Sequence, residues 1–366
     1  PTPPARQGHP APPGAGDTRP PEPAPSLVVR YPDGQEVPQA SLREALRAAV
    51  RSKAEVILRD QYPYVFQVDE PLSVSSGAVT IRAAAGARPI LTVELKGNQP
   101  FLQTTAEGGL TLEGLTFRVR YVGKANSPPV IRAAGKLTIT SCAFTTSGRR
   151  SGSQAIEASG LSADLSGCWF ENFERALVLK THPRSKAHLE QCLAIAPGSP
   201  PRGWVITASP SDSHKGGGRL ELNHCTFVAA GLLEERGFPP RAPLVVEIQH
   251  TVVRSKALLQ WTSPAGVALP KPLRWSGRHN RYHVDGASWV LTTNPKSRAG
   301  DSGEPTDLDS WKARVTQEDE SDDEPVRFPA DRAKPAPSHR PEDFALEGDF
   351  GVDPKRLGPL AKAAGE

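Results

Sequence analysis

The stretch Leu110-Thr-Leu-Glu-Gly-Leu-Thr-Phe117 decides the fold, because its pattern returns along the chain at intervals of about 25 residues. The copies lie at 137–144, 163–170, 187–194, 220–227 and 246–253, and a weaker copy begins at Val79. Self-similarity at such a period is the signature of a repeat architecture. We therefore align the copies and read each position of the repeat as a column.

Two columns of this alignment are apolar. The third position carries Leu112, Ile139, Leu165, Leu189, Leu222 and Ile248, and the eighth carries Phe117, Phe144, Phe170, Ala194, Phe227 and Val253. A second apolar run precedes most copies, so each period holds at least two short strands. Such a pattern without an intervening helix is typical of a parallel β-helix, whose coils stack at about 4.8 Å. The sequence predicts an all-β solenoid of about eight coils.

The four cysteines of the chain share the sixth position of successive copies. They are Cys142, Cys168, Cys192 and Cys225. Ligands spread along an axis at coil spacing cannot converge tetrahedrally on one zinc ion. We interpret this column as a structural stack of buried thiols, with a metal or redox ladder as the alternative.

Two histidines share the fifth position of adjacent copies. His224 and His250 are therefore expected to have neighbouring rings. A two-histidine metal site would still need a carboxylate, and neither flanking residue supplies one in that register. We interpret the pair as stacked corner residues and keep them as candidates for metal ligation. The sequence predicts no metal site and no cofactor.

Composition divides the chain into three parts. Residues 1–25 contain ten Pro among Gly and Ala, which predicts a disordered Pro-rich linker. Residues 26–296 carry the predicted solenoid, capped by a helix over 41–53 that begins at the capping-box pair Ser41 and Glu44. Residues 297–366 are acidic and Pro-rich, which predicts a mostly irregular tail whose terminal segment packs on the rod.

The distribution of charge along the chain indicates what kind of ligand to expect. The net charge of +4 combines +12 in residues 26–300 with −8 in residues 301–366. The basic body favours an anionic polymer as ligand, whereas surface charge that serves solubility alone is the alternative. The sequence has no nucleic-acid-binding signature, and we expect no nucleic-acid partner. It also lacks the run of roughly 18 apolar residues that a membrane span needs, so we expect no membrane contact by this segment.

The number and spacing of the Asp and Glu residues show whether the sequence predicts an active site. Residues 76–260 contain only Asp164 and Asp212, which are far apart, whereas glycoside hydrolysis needs a close carboxylate pair. Glutamates of the fourth position alternate with the apolar column and are expected to form a solvated ladder. The sequence therefore predicts no catalytic residue. It leaves five candidates for ligand binding, which are Glu113, Glu190, Arg118, Arg120 and Arg132.

In these features the chain resembles the right-handed parallel β-helix, or pectate-lyase-like, superfamily. Residues 41–49, followed by 56–60 and Tyr64, are similar to its cap helix and first coil. The phrases at 78–90 and 110–117, with the segments 275–282 and 351–358, resemble the C-terminal β-helix region of planctomycete membrane-anchored serine/threonine protein kinases. The resemblance spans roughly 26–360 and implies a right-handed, single-stranded solenoid. It is less specific for function, because this fold hosts lyases, hydrolases, epimerases and binding modules.

The resemblance and the lack of a carboxylate site favour a non-catalytic binding or sensor module for a glycan or protein ligand. We expect a monomeric extracytoplasmic rod, periplasmic or at the cell surface, on a longer protein with a kinase domain upstream. The absence of Met and the start at Pro1 agree with a piece of a longer chain. A cytoplasmic location is the alternative. Two other functions stay open: a polysaccharide lyase or glycoside hydrolase of the same superfamily, and a structural spacer without a ligand.

Overall fold

The computed structural model describes residues 26–59, 63–123, 127–147, 151–198, 201–211, 216–238, 242–262, 273–292, 305–328, 340–344, 346 and 350–358. The linker predicted at 1–25 lies outside the described residues, as do parts of the tail. The described chain is an all-β parallel solenoid of about eight turns, which confirms the predicted fold class. Among its helices, none has the length and apolar character required to cross a membrane.

Each turn contributes three strands to three long sheets, with strands numbered in chain order. Sheet A contains β1 (Leu27–Arg30), β2 (Glu36–Pro38), β3 (Glu55–Leu58), β6 (Gly77–Ala83), β9 (Gly108–Glu113), β12 (Leu137–Thr140), β15 (Ser162–Ser166), β18 (Lys186–Glu190), β21 (Arg219–Asn223), β24 (Val245–Gln249), β27 (Leu273–Arg278) and β30 (Val315–Asp319). Sheet B contains β4 (Pro63–Val68), β7 (Ile90–Lys96), β10 (Thr116–Val122), β13 (Ala143–Thr146), β16 (Trp169–Glu171), β19 (Leu193–Ile195), β22 (Thr226–Val228), β25 (Val252–Ser255) and β28 (Arg281–Val284). Sheet C contains β5 (Leu72–Val74), β8 (Leu102–Thr104), β11 (Pro129–Ala133), β14 (Gln154–Ala158), β17 (Arg175–Thr181), β20 (Trp204–Pro210), β23 (Gly231–Arg236), β26 (Ala257–Thr262) and β29 (Val290–Thr292).

The repeat phrase spans the corner between sheets A and B. Its third position pairs in register from turn to turn in sheet A, and its eighth position does so in sheet B. The fifth position has a positive φ in six copies, at Gly114, Ser141, Gly167, Gln191, His224 and His250. A left-handed residue bends the chain and interrupts the two-residue alternation of a strand. The side chains of positions three, six and eight therefore all point into the rod.

Aromatic stacking runs along the interior. The ring centroids of Phe117 and Phe144 lie 4.7 Å apart, and those of Phe144 and Phe170 lie 5.2 Å apart. All three side chains are buried, and the rings are nearly parallel. Because each ring contributes both buried apolar area and a stacking contact, this column stabilises the middle turns.

A short helix closes the N-terminal end of the rod. Helix α1 (Leu42–Ser52) begins after Ser41, whose side chain accepts a hydrogen bond from the Glu44 backbone N–H at 3.2 Å. The helix buries Leu42, Leu46 and Ala49 against the first turn. Strand β1 pairs antiparallel with β2 and β3, so the parallel strands of sheet A do not end in an unpaired strand at this side.

Residues 305–328 of the tail pack on the C-terminal end of the rod. Helix α2 (Leu308–Lys312) packs Trp311 against Trp275, and the acidic β30 continues sheet A by pairing with β27. The Glu318 side chain of β30 points inward over Gly277, where a Cβ would overlap its carboxylate. It accepts hydrogen bonds from the hydroxyl of Tyr282 and the amide of Asn280, both at 3.1 Å. Burial raises the pKa of Glu318, so an acidic sequence can enter this core.

Candidate functional site

The outer surface of sheet B is the candidate functional site, and its turns near the N-terminal end are open to solvent. Val65, Thr92, Arg118 and Thr145 follow one another in register along β4, β7, β10 and β13. They alternate with buried or half-buried residues, so these side chains point outward. We call this surface the open face. Val65 is 65% exposed, which shows that the described chain leaves it uncovered.

Arg118 and Arg120 supply the charge of the open face. The two residues are two positions apart on β10 and therefore share its outer side. Arg120 is paired in register with Glu94, and its Nη1 lies 2.9 Å from the Glu94 Oε1. Arg118 is paired in register with Thr92 on one side and Thr145 on the other, and it has no ion-pair partner among the described residues. The Thr145 hydroxyl lies 3.5 Å from the Phe117 carbonyl oxygen. The open face thus presents an exposed guanidinium flanked by two threonines.

A buried carboxyl group marks the end of the open face. Glu171 of β16 follows Thr145 in the same column, and only 5% of the residue is exposed. Burial raises the pKa of Glu171 to about 7. Near neutral pH this carboxyl group can therefore hold a proton and act as a hydrogen-bond donor or an acid.

Beyond Glu171 the outer surface of sheet B is covered by residues 350–358, which we call the strap. The backbone N–H of Gly351 donates to the His250 carbonyl at 2.7 Å, and that of Gly358 donates to the Gly167 carbonyl at 2.8 Å. Between them the Asp353 N–H donates to the side-chain oxygen of Gln191 at 2.7 Å. Because these acceptors lie in successively earlier turns, the strap runs back toward the N-terminal end.

The strap closes a second apolar core outside the solenoid. Leu193, Ile195 and Val252 are buried although they project from the outer side of sheet B. They pack against Val352 and Leu357 of the strap. Other members of this cluster are Val326, Phe328 and Phe344. The strap therefore shields an apolar surface of sheet B from water.

The five candidate binding residues do not form one site. Arg118 and Arg120 share the open face, whereas Glu113 and Glu190 lie on the outer side of sheet A, separated by two intervening strands. The Glu190 carboxylate lies 3.7 Å from the Arg356 guanidinium of the strap. Arg132 lies on sheet C, where its Nε is 3.2 Å from the Glu157 Oε1. Glu190 and Arg132 thus make intramolecular ion pairs.

Three histidines stack at the corner between sheets A and B. The ring centroids of His224 and His250 lie 4.6 Å apart, and His279 continues the stack at 5.0 Å. Parallel rings direct their nitrogen lone pairs side by side and not toward a common point. In the described part of the chain no group of three or more His, Cys, Asp or Glu could hold a metal ion. The Nε2 of His279 lies 2.8 Å from the Glu320 carboxylate, which supplies a local partner for its proton.

The cysteine column lies inside the same corner. Its four thiols are buried, and none of them forms a disulfide. Each Sγ lies within hydrogen-bond distance of the carbonyl oxygen two residues earlier, at 3.3 to 3.5 Å. Burial raises the pKa of the Cys168 and Cys225 thiols, so they stay protonated at neutral pH. Protonated thiols such as those of Cys168 and Cys225 are suited to packing more than to nucleophilic or metal chemistry.

Sequence reasoning missed Glu171, and it predicted that the end of the tail packs on the rod without locating the strap on sheet B. The signal for both was present in the repeat, whose ninth position changes from Arg118, Thr145 and Glu171 to the apolar Ile195 and Val228. Apolar residues at an outward position indicate that another segment covers them.

Comparison of the chain with protein-family models, with curated proteins and with solved structures finds no match. The solenoid is therefore established by its own strand pairing. The relationship to pectate-lyase-like proteins or to planctomycete kinases stays a prediction.

Proposed function

We propose that this chain is a non-catalytic binding module that recognises an acidic polysaccharide along the open face. The observation that carries this proposal is Arg118, an exposed arginine between two outward-facing threonines on a regular sheet surface. A guanidinium can bind a carboxylate through two parallel hydrogen bonds. Hydroxyl groups on either side, at the spacing of neighbouring strands, suit the hydroxyls of a polymer lying along the rod.

The charge of the body supports an anionic ligand. Residues 26–300 carry a net charge of +12, which attracts a polyanion before any specific contact forms. Arg120 and Glu94 neutralise each other on the open face, so Arg118 supplies its unpaired charge. Binding should therefore weaken with added salt and should require acidic sugar residues.

The placement of this module in a larger protein rests on resemblance alone. The similarity of 78–90 and 110–117 to planctomycete proteins supports an extracytoplasmic, monomeric rod that reports ligand binding to a serine/threonine kinase domain upstream. A right-handed coil and membership of the pectate-lyase-like superfamily belong to the same proposal.

A polysaccharide lyase or glycoside hydrolase is the second candidate, and Glu171 favours it. This carboxyl group has a pKa of about 7 and follows Arg118 and Thr145 in one column. Buried acids with a raised pKa are characteristic of general acid catalysts. In that function Glu171 would protonate a leaving group while Arg118 holds a sugar carboxylate.

The test is a binding titration of the chain with polygalacturonate and alginate, with dextran as the neutral polymer. Replacing Arg118 and Arg120 together with Gln should weaken binding at least tenfold, since each lost charged hydrogen bond costs about 1 kcal/mol or more. Arg184→Gln is the matched control, because Arg184 is an exposed arginine in the turn between sheets C and A. Sugar release should be measured in the same samples.

Equal binding of dextran, or unchanged affinity in the double variant, would refute the open face as an acidic-polysaccharide site. Release of unsaturated or reducing-end products that Glu171→Gln abolishes would establish the enzyme in place of the binding module. No binding of any polymer would favour the spacer.

A further inference from the structure

A groove at the N-terminal end of the rod is separate from the open face. It lies between α1 and the segment that leads into β5, and its volume is about 320 Å³. This is the lower end of the range of about 300–1,000 Å³ in which small ligands are bound. We call it the cap groove. It has room for one ring-sized molecule and opens partly to solvent.

Two arginines line one wall of the cap groove. Arg43 and Arg47 are four residues apart on α1 and therefore share one face of the helix. The Arg43 Nη2 donates to the Glu70 carbonyl oxygen at 3.2 Å, and its Nη1 lies 3.7 Å from the Glu70 carboxylate. The Glu70 side chain is 80% exposed, so this ion pair is weak.

The charge of the cap groove is consequently unbalanced. Glu70 is the acidic residue of its lining, against two guanidinium groups. Arg47 makes no ion pair with any residue that the structure describes. The hydrogen bond to the Glu70 carbonyl holds Arg43 at the rim, so its guanidinium is already positioned before a ligand arrives. The groove is therefore electropositive and partly preorganised.

The remaining lining determines what kind of anion fits. Leu46 and Leu72 are buried, and together with Pro71 they give the groove an apolar floor. The Ser73 hydroxyl lies at the far side, where it accepts a hydrogen bond from the Gln103 amide at 2.7 Å. An inorganic anion would leave the apolar floor unused. A neutral apolar molecule would leave Arg47 unused.

We propose that the cap groove binds a small organic anion, in which a carboxylate or phosphate monoester is attached to a ring-sized apolar body. The anionic group lies between Arg43 and Arg47, where two guanidinium groups can each supply paired donors. The ring lies on Leu46 and Leu72. This site goes beyond the proposed polysaccharide function and uses a different surface of the protein.

The experiment is ligand-observed NMR titration of the full chain with benzoate and phenyl phosphate. Benzamide serves as the neutral isostere and inorganic phosphate as the anion without a ring. We expect a Kd of about 1 mM for the better of the two anionic probes, as is usual for a ligand of roughly ten heavy atoms. Benzamide and inorganic phosphate should bind at least fivefold more weakly. The tighter of benzoate and phenyl phosphate identifies the anionic group that the groove prefers.

Arg47→Gln tests the site without disturbing the fold, because Arg47 is exposed. This variant should weaken the anionic probes at least fivefold and leave benzamide unchanged. Arg51→Gln is the matched control, since Arg51 lies one turn later on α1 and does not line the groove. Arg47→Lys keeps the positive charge but loses the paired N–H donors of the guanidinium, so its Kd for the anionic probes should be intermediate.

Equal binding of benzamide and benzoate, no effect of Arg47→Gln, or no binding of any probe at 10 mM would overturn the proposal. Failure of this site and failure of the polysaccharide site are distinguishable. The double variant at Arg118 and Arg120 should lose polymer binding and keep probe binding, whereas Arg47→Gln should do the reverse.

Discussion

Replacing Glu235 with Gln should flatten the dependence of stability on pH, because this carboxyl group is buried inside the rod. Glu235 lies on β23, in register with Ala208 and Trp261 of the neighbouring turns, and is 5% exposed. Its Oε2 has no hydrogen-bond partner among the described residues. Burial raises the pKa of Glu235 to about 8. Arg274 lines the same small cavity as Glu235.

The magnitude follows from the difference in pKa between the native and unfolded states. The unfolded chain has the ordinary glutamate pKa of 4.5, so the native state binds more protons between about pH 4.5 and pH 8. The free energy of unfolding therefore falls as pH rises through this window and levels off above it. A difference of about 3.5 pKa units corresponds to a loss of about 5 kcal/mol across the window.

The assay is urea unfolding of the wild type and Glu235→Gln at pH 5, 6, 7 and 8. Near pH 5 the two proteins should have similar stability, since a protonated carboxyl and a carboxamide have nearly the same shape. At pH 8 the variant should be more stable by several kcal/mol. Glu171→Gln is the comparison, because the pKa of Glu171 is also raised but only to about 7. Parallel pH profiles for the wild type and Glu235→Gln would refute the reasoning.

Two further predictions concern the strap and the core. Gly167→Ala should loosen the strap, because the new Cβ would overlap the carbonyl oxygen of Arg356, and trypsin should then cleave faster after Arg356. Gly97 has a similar positive φ, +70° against +61°, with open space around the added Cβ, so faster cleavage in Gly97→Ala as well would contradict a specific contact. Phe144→Ala should lower the free energy of unfolding by about 3–5 kcal/mol through the cavity it leaves in the stack. Val65→Ala should cost less than about 0.5 kcal/mol, and equal losses measured by urea unfolding would disprove the assignment of the core.

The repeat made the solenoid predictable in detail. Positions three and eight of the phrase are apolar in nearly every copy, and the structure pairs them in register from turn to turn. The corner between sheets A and B was also predictable from the sequence. Apolar residues at positions one, three, six and eight of the phrase do not fit the two-residue alternation of a single strand. The left-handed residue at position five, such as Ser141, gives the physical reason for that departure. The third strand of each turn became clear only in the structure.

The candidate site was predictable only in part. Arg118 and Arg120 share a face because of the two-residue period of a strand, so their proximity follows from sequence. Glu113, Glu190 and Arg132 belong to other sheets. The local sequence pattern does not show on which of the three sheets an outward-facing position of the repeat lies. The ion pair between Glu190 and Arg356 joins residues 166 positions apart and could not be read from either neighbourhood.

The sequence by itself determined the solenoid, its register, its cap helix and its stacked cysteines and histidines, because each depends on contacts that repeat at a fixed interval. Tertiary structure alone decided the course of the strap, the burial of Glu171 and Glu235 and the groove beside α1. These features depend on single, non-repeating contacts between distant segments. An inward carboxyl such as Glu235 looks like any other glutamate until the neighbouring turns exclude water from it.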